Sequence, residues 1–209
     1  GCIPTKALLK SAQVFEYTQH ASDYGITLSN PKVDFGGMIA RSRGVANNMS
    51  KGIEFLMKKN KITVVKGYGT LKAKGKVEVD NDGKKEIVEG DNIILATGAR
   101  SRVLPGIEQD GKKIIGYREA MVLDKQPKSM VVIGSGAIGI EFAYFYAALG
   151  TEVTVVEYMD RIVPVEDVDI SKEYSSDKSK DFINGMLDTI MKSLKENKEI
   201  KKHGRGLIN

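Results

Sequence analysis

Cysteine is almost absent from this 209-residue chain, which contains a single one, Cys2. A lone cysteine excludes a framework of intrachain disulfides and is typical of a reducing compartment, so a cytoplasmic location is expected. Long apolar runs are also missing, because no stretch approaches the roughly 20 residues that a membrane-spanning helix needs. Nothing resembles a cleavable signal peptide. No membrane partner is therefore expected.

Histidine is scarce as well, and His20 and His203 are both predicted to be ordinary surface residues. No metal-ligand set is recognisable. The net charge of +5 is modest, and residues 171–209 carry nine Lys and Arg against six Asp and Glu. A solvated, lysine-rich helix end explains this local excess, so a nucleic-acid partner is not expected.

Two helices are predicted in the first 60 residues. Pro4 suits a first helical turn because its missing N–H would be unpaired there, and apolar residues at helical spacing continue to about Ala21. The second helix begins after Asp34, an N-cap residue type, and ends near Asn60. The residues expected to face inward are Ala7, Leu8, Ala12, Val14 and Phe15, then Met38, Val45, Met49, Ile53 and Leu56.

Several short strands are predicted to follow. Two apolar runs, Ile62–Gly67 and Asn92–Ala99, are typical of buried strands. Between them, three alternating stretches (YGTLKA, KVEV and KEIVEG) are separated by Lys74–Gly75 and Asn81–Gly83, which are hairpin signals. This spacing predicts a small antiparallel meander.

The strongest motif is the G-x-G-x-x-G loop whose glycines are Gly134, Gly136 and Gly139. Gly134 permits a tight turn, Gly136 lets the backbone approach a pyrophosphate, and Gly139 lets a helix pack closely on a strand. Ala137 and Ile138 open that helix, whose unpaired N–H groups and positive dipole end would face the phosphates. Alone, the motif is easily matched by chance.

The context of this loop makes it specific for a dinucleotide. It follows the apolar strand Met130–Ile133 and opens the helix Ala137–Leu149, and a second strand, Val153–Val156, ends in Glu157. An acidic side chain at that place accepts hydrogen bonds from a ribose 2′-hydroxyl and repels a 2′-phosphate, which favours NAD over NADP. The alternative is a glycine turn in an unrelated strand–helix unit.

The order of GCIPTK, a long helix, a meander, ILATGAR and this fingerprint resembles the flavin-dependent pyridine nucleotide–disulfide oxidoreductases. Within that family the sequences of these motifs most resemble those of the dihydrolipoamide dehydrogenases. The resemblance covers Gly1 to about Glu173. It implies FAD and NAD as cofactors, a dithiol substrate such as lipoamide, and a homodimeric parent enzyme.

The resemblance also implies roles for individual residues. Cys2 matches the flavin-proximal cysteine of the family's redox pair, and helix N-termini favour thiolates; the alternative is a buried, inert cysteine. Lys6 matches a lysine near flavin N5, and Glu141 the glutamate paired with it. Without the family, these two would be ordinary surface residues. Further matches to FAD-binding positions are Gly69, Thr97, Gly98 and Ala99.

The expected fold class is therefore α/β. A partial FAD-binding domain with the β-meander is predicted for residues 1–126. A truncated Rossmann-type NAD-binding βαβ unit follows over 127–170, with an unpaired sheet edge, and an α-helical tail over 171–209. The family also has a cysteine five positions before Cys2, an N-terminal FAD glycine loop and a catalytic His–Glu pair, which this sequence lacks. We expect an internal fragment without turnover of its own.

The tail has a second resemblance. Its stretch KSKDFINGMLDTI is similar to the last helices of NusB-type transcription antitermination proteins, with a junction near residues 170–174. Two alternatives to the enzyme therefore stay open. In the first alternative, the chain is a nucleotide-binding remnant without catalysis. In the second, it has an RNA-binding role through the tail.

Overall fold

The computed structural model describes residues 1–159 and 161–163. The chain forms two compact units. The first, here called the core unit, contains residues 1–46, 102–159 and 161–163, and the second, the meander unit, contains residues 47–101. These bounds differ from the three predicted domains, which stay predictions. The predicted tail helix and His203 lie outside the described residues.

Both predicted N-terminal helices form, with ends one or two residues from their predicted positions. Helix α1 spans Cys2–Gln19, a short 3₁₀ turn follows at Ala21–Tyr24, and α2 spans Phe35–Lys59. The expected N-cap is present, because the N–H of Gly37 donates to Asp34 Oδ1 at 2.9 Å. Helix α1 begins at Cys2 rather than at Pro4.

The core unit is organised around the contact of α1 with α4 (Ala137–Ala148). Leu8 and Ala12 of α1 are fully buried against aromatic residues of α4. The Tyr146 hydroxyl donates to the Ala120 carbonyl oxygen at 2.6 Å, so the polar end of this buried ring is satisfied. The buried cluster of the core unit consists of Leu8, Ala12, Ala120, Met121, Phe142, Phe145, Tyr146 and Leu149.

The prediction of inward-facing residues is wrong at four positions. Val14 on α1 and Met49, Ile53 and Leu56 on α2 are each about half exposed, at 49–51%. An apolar face is buried only where another element covers it, and the described residues leave about half of each of these side chains exposed. Met38 packs against the core cluster, so the early turns of α2 do match their pattern.

The predicted meander is confirmed. Strands β1 (Tyr68–Ala73), β2 (Lys76–Asn81) and β3 (Lys84–Glu89) pair antiparallel in that order. The turn at Asp82 and Gly83 lets β3 return beside β2, as the hairpin signal indicated.

The two apolar runs that flank the meander are not strands, so this prediction is wrong. Residues 62–67 and 92–99 lie outside every paired strand of the described chain. Most of their side chains are exposed, with Ile94 at 89% and Val64 at 58%, whereas Val65 is partly buried. A β-branched run needs a neighbouring strand for its ladder of hydrogen bonds, and none of the described residues supplies one.

The predicted βαβ unit is confirmed, and a short helix α3 (Tyr117–Ala120) precedes it. Strands β4 (Ser129–Ile133) and β5 (Glu152–Val156) pair in parallel, with Ser129 opposite Glu152 and Ile133 opposite Val156. Helix α4 connects them. Within the described residues this sheet has two strands, so its unpaired edges are present as expected. No described helix is long and apolar enough to cross a membrane.

Candidate nucleotide and flavin site

The glycine loop joins the end of β4 to the start of α4. Gly134 has a φ of +98°, a conformation that favours glycine, and its N–H donates to the Val156 carbonyl oxygen at 2.7 Å. This bond fixes the turn to the end of β5. The first intrahelical bond runs from the N–H of Ile140 to Gly136. The N–H groups of Ala137 and Ile138 therefore have no partner inside the helix.

The other two glycines differ in what surrounds them. A Cβ at Gly139 would lie 2.2 Å from the Gly134 carbonyl oxygen, so the fold itself requires glycine there. A Cβ at Gly136 would meet no protein atom within 4 Å. Because the space beside Gly136 is open, the protein's own packing does not require a glycine at this position. A cofactor phosphate that approaches the backbone does require a glycine at this position. These residues therefore fit a dinucleotide.

Glu157 lies buried immediately after β5, against the glycine loop. Its Oε2 accepts hydrogen bonds from the N–H and the Oγ of Ser135, both at 2.7 Å, and its Oε1 accepts from the N–H of Met159 at 3.0 Å. Burial alone would raise the pKa of Glu157. The hydrogen bonds from Met159, Ser135 and the backbone of Tyr158 outweigh it and lower the pKa, so the carboxylate is ionised at neutral pH.

Ser135 is the residue that sequence reasoning missed. It occupies a variable position of the G-x-G-x-x-G motif, so nothing in the motif marks it. Its contact with Glu157 joins residues 22 positions apart. The available signal was its residue type, because Ser135 is the one hydroxyl-bearing residue among the three variable residues of the motif.

The structure brings two of the predicted flavin-side residues together. Lys6 Nζ on α1 donates a charge-assisted hydrogen bond to Glu141 Oε1 on α4. The two side chains are 64% and 27% exposed. An exposed ion pair of this kind contributes roughly 0–1 kcal/mol, so the apolar cluster rather than this pair holds α1 on α4.

Cys2 lies in the first turn of α1 and is exposed, which excludes the alternative of a buried, inert cysteine. It precedes Lys6 by four residues, so the thiol and the ammonium group share one face of the helix. A second pair on the same helices joins the Tyr144 hydroxyl to Glu16 Oε2, and burial together with this carboxylate raises the pKa of Tyr144 to about 12.

The remaining predicted FAD residues belong to the meander unit. Gly69 lies on β1, and a Cβ there would be 3.4 Å from Val77 Cγ1, which is an ordinary contact. Thr97, Gly98 and Ala99 are all exposed. Their roles toward FAD stay predictions.

Comparison with known proteins decides the family. A model of the pyridine nucleotide-disulphide oxidoreductase family matches residues 1–207. The chain belongs to this family. Its members use FAD and NAD(H), as the sequence predicted. The matched range extends into the C-terminal tail, and the NusB resemblance stays a prediction.

Curated relatives share the family. Dihydrolipoyl dehydrogenase of Chlorobaculum parvum is 47% identical over 173 residues, covering 82% of this chain and 37% of that protein. Leghemoglobin reductase of Vigna unguiculata is 42% identical over 191 residues, covering 90% of this chain and 36% of that protein. The chain therefore spans little more than a third of the length of these relatives.

Solved structures agree with the fold. LpdA of Mycobacterium tuberculosis superposes with a TM-score of 0.74 at 30% identity, over 82% of this chain and 38% of that one. The Escherichia coli protein RclA, described as an HOCl-induced flavoprotein disulfide reductase, superposes with a TM-score of 0.65 at 28% identity, over 81% of this chain and 35% of that one. The α/β fold class is thereby confirmed.

Proposed function

We propose that this chain supplies the NAD-binding βαβ unit and the flavin-facing helix of a dihydrolipoyl dehydrogenase-type flavoprotein. The observation that carries the proposal is that the glycine turn, which is open beside Gly136, lies against the ionised, buried carboxylate of Glu157. The curated relatives named dihydrolipoyl dehydrogenase support the same reaction class.

On the nucleotide side, each group has a partner on the dinucleotide. The unpaired N–H groups of Ala137 and Ile138 would donate to the pyrophosphate, with the backbone of Gly136 beside it. Glu157 would accept from the adenosine ribose hydroxyls. Because its pKa is lowered, the same carboxylate would repel the 2′-phosphate of NADP at neutral pH.

On the flavin side, Cys2, Lys6 and Glu141 would act together. Lys6 would place a positive charge at the flavin ring, Glu141 orients that charge through its hydrogen bond, and Cys2 presents its thiol one helical turn away. Bound FAD would supply the two-electron carrier between thiols and NAD. Gly69, Thr97, Gly98 and Ala99 would contribute the adenine-side contacts.

In the parent enzyme that the resemblance implies, the overall reaction balances without a further reagent. A dithiol substrate, lipoamide by resemblance, loses two electrons and two protons as its disulfide forms. NAD⁺ takes both electrons and one proton as a hydride equivalent, and the second proton goes to solvent. A homodimeric assembly is proposed by the same resemblance, and a cytoplasmic location is proposed from the single cysteine.

The test is NADH binding to the full chain, measured as the change in fluorescence of the nucleotide. Gly136→Val should abolish binding without unfolding, because its side chain enters space that only a ligand would use. The control is Gly44→Val on α2, where a Cβ also meets no atom within 4 Å. Absence of NADH binding by the unmodified chain, or unchanged binding by Gly136→Val, contradicts the nucleotide part of the proposal.

The flavin part has its own readout. The absorption spectrum of the chain mixed with FAD and freed of excess ligand should show a flavin band, shifted in Lys6→Met. A colourless chain argues against a competent FAD site.

A further inference from the structure

Ser135 lies in the glycine loop, in contact with Glu157. It is fully buried, with no exposed surface. Its Oγ donates to Glu157 Oε2 and accepts from the N–H of Val163 at 2.8 Å, so the hydroxyl is satisfied as both donor and acceptor.

The Glu157 carboxylate is anchored from both sides. One oxygen is bound by the two donors of Ser135, and the other by the backbone that follows β5 at Met159. A carboxylate held in this way does not need to be ordered when a ligand arrives, and pre-organised groups bind more tightly because that ordering is already complete.

The two donors of Ser135 have separable effects. Its N–H belongs to the backbone and would be kept by any residue except proline at this position. The hydroxyl belongs to serine, and without it the buried carboxylate loses a charge-assisted bond, which is stronger than a neutral one. The hydroxyl is therefore the part that a mutation tests.

We propose that Ser135 is a positioning residue that holds Glu157 in the orientation needed to accept the ribose hydroxyls, and so helps to select NAD over NADP. This inference rests on the proposed nucleotide-binding function. It assigns a specificity role to a variable position of the glycine motif.

The experiment measures the NADH and NADPH affinities of the full chain in a double-mutant cycle of Ser135→Ala and Glu157→Gln. Loss of one hydrogen bond to a charged group predicts about tenfold weaker NADH binding in Ser135→Ala. NADPH affinity should change by less than about twofold, since its binding gains nothing from an anchored carboxylate. In the Glu157→Gln background, adding Ser135→Ala should have little further effect, because the residue acts through Glu157.

Thr151→Ala is the matched control. Thr151 is a buried hydroxyl at the opposite end of β5, where its Oγ1 donates to the Pro127 carbonyl oxygen at 2.8 Å. It should lower the unfolding temperature while leaving NADH affinity unchanged. If Ser135→Ala does not fold, Ser135→Gly removes the same hydroxyl and should give the same loss.

The outcomes separate the inference from the function beneath it. No NADH binding by the unmodified chain overturns both. Normal binding by the unmodified chain with an unchanged Ser135→Ala overturns the inference alone. Equal losses for NADH and NADPH, or losses that add fully in the double variant, also overturn it, because they show a general structural effect.

Discussion

The core unit and the meander unit use different means to stay folded. In the core unit, α1 and α4 bury a cluster of eight residues that includes three aromatic rings. Among the described residues of the meander unit, Val79 is the one buried hydrophobic side chain, at 8% exposure. Its three strands are joined by backbone ladders and by exposed ion pairs such as Lys76 with Glu89 at 2.7 Å.

This difference shows where each unit can tolerate change. Exposed ion pairs contribute roughly 0–1 kcal/mol each, whereas burying a large aromatic side chain contributes several times more. The core unit should therefore respond strongly to loss of side-chain volume. The meander unit should respond mainly to changes in its backbone.

The largest expected effect is in the core unit. Phe145 is 1% exposed, and Phe145→Ala should lower the free energy of unfolding by about 3–5 kcal/mol because it leaves a large cavity. Val79→Ala in the meander unit should lower it by about 1–2 kcal/mol, since a smaller, less enclosed side chain is removed. Denaturant unfolding with hydrogen exchange resolved on α4 and β2 measures both. Equal losses would show that the two units do not differ in this way.

A smaller effect is expected from the backbone of the meander unit. Gly67 has a φ of +148°, and a Cβ there would lie 2.6 Å from the Asp80 carbonyl oxygen. Gly67→Ala should therefore lower stability by roughly 1–3 kcal/mol, seen as faster hydrogen exchange in β2.

Gly69→Ala is the matched substitution two residues later. Its Cβ would make only an ordinary contact, so stability should change by less than about 0.5 kcal/mol. If Gly69 lies beside bound FAD, this variant should still weaken FAD binding. Equal destabilisation by the two variants would contradict the comparison.

The smallest expected effect is on the pH dependence of the core unit. The pKa of Glu157 is lower in the folded chain than its ordinary value of 4.5. The stability that the ionised Glu157 carboxylate gives to the folded chain is therefore present above pH 4.5. It is lost as the pH falls through the folded-state pKa, because the unfolded state binds the proton first. Thermal unfolding of Glu157→Gln should vary less with pH below 4.5 than that of the unmodified chain. Parallel curves would show that Glu157 contributes nothing to acid sensitivity.

Local patterns predicted much of the fold. Asp34 marked the start of α2, the hairpin signals marked the turns of the meander, and the fingerprint from Gly134 to Glu157 marked the βαβ unit. Each signal depends on residues close together in the chain, where spacing and turn chemistry decide the conformation. The runs at 62–67 and 92–99 were misjudged, because a strand also depends on a distant partner.

The candidate site divides in the same way. Residue types at set spacings identified the glycine loop and Glu157, whereas Cys2 and Lys6 were singled out by the resemblance to the family. The sequence could not show that Ser135 binds Glu157, because that contact depends on how β4 and β5 pair.

What the sequence by itself determined is therefore the family, the order of the elements and the residues that can carry charge or contact phosphate. Only the tertiary structure decided which of them meet. It placed Lys6 against Glu141 through the packing of α1 on α4, and it turned Glu157 inward onto the glycine loop. The physical reason is that hydrogen bonds and ion pairs act over a few ångströms, and distances of that kind between remote residues exist only once the core has formed.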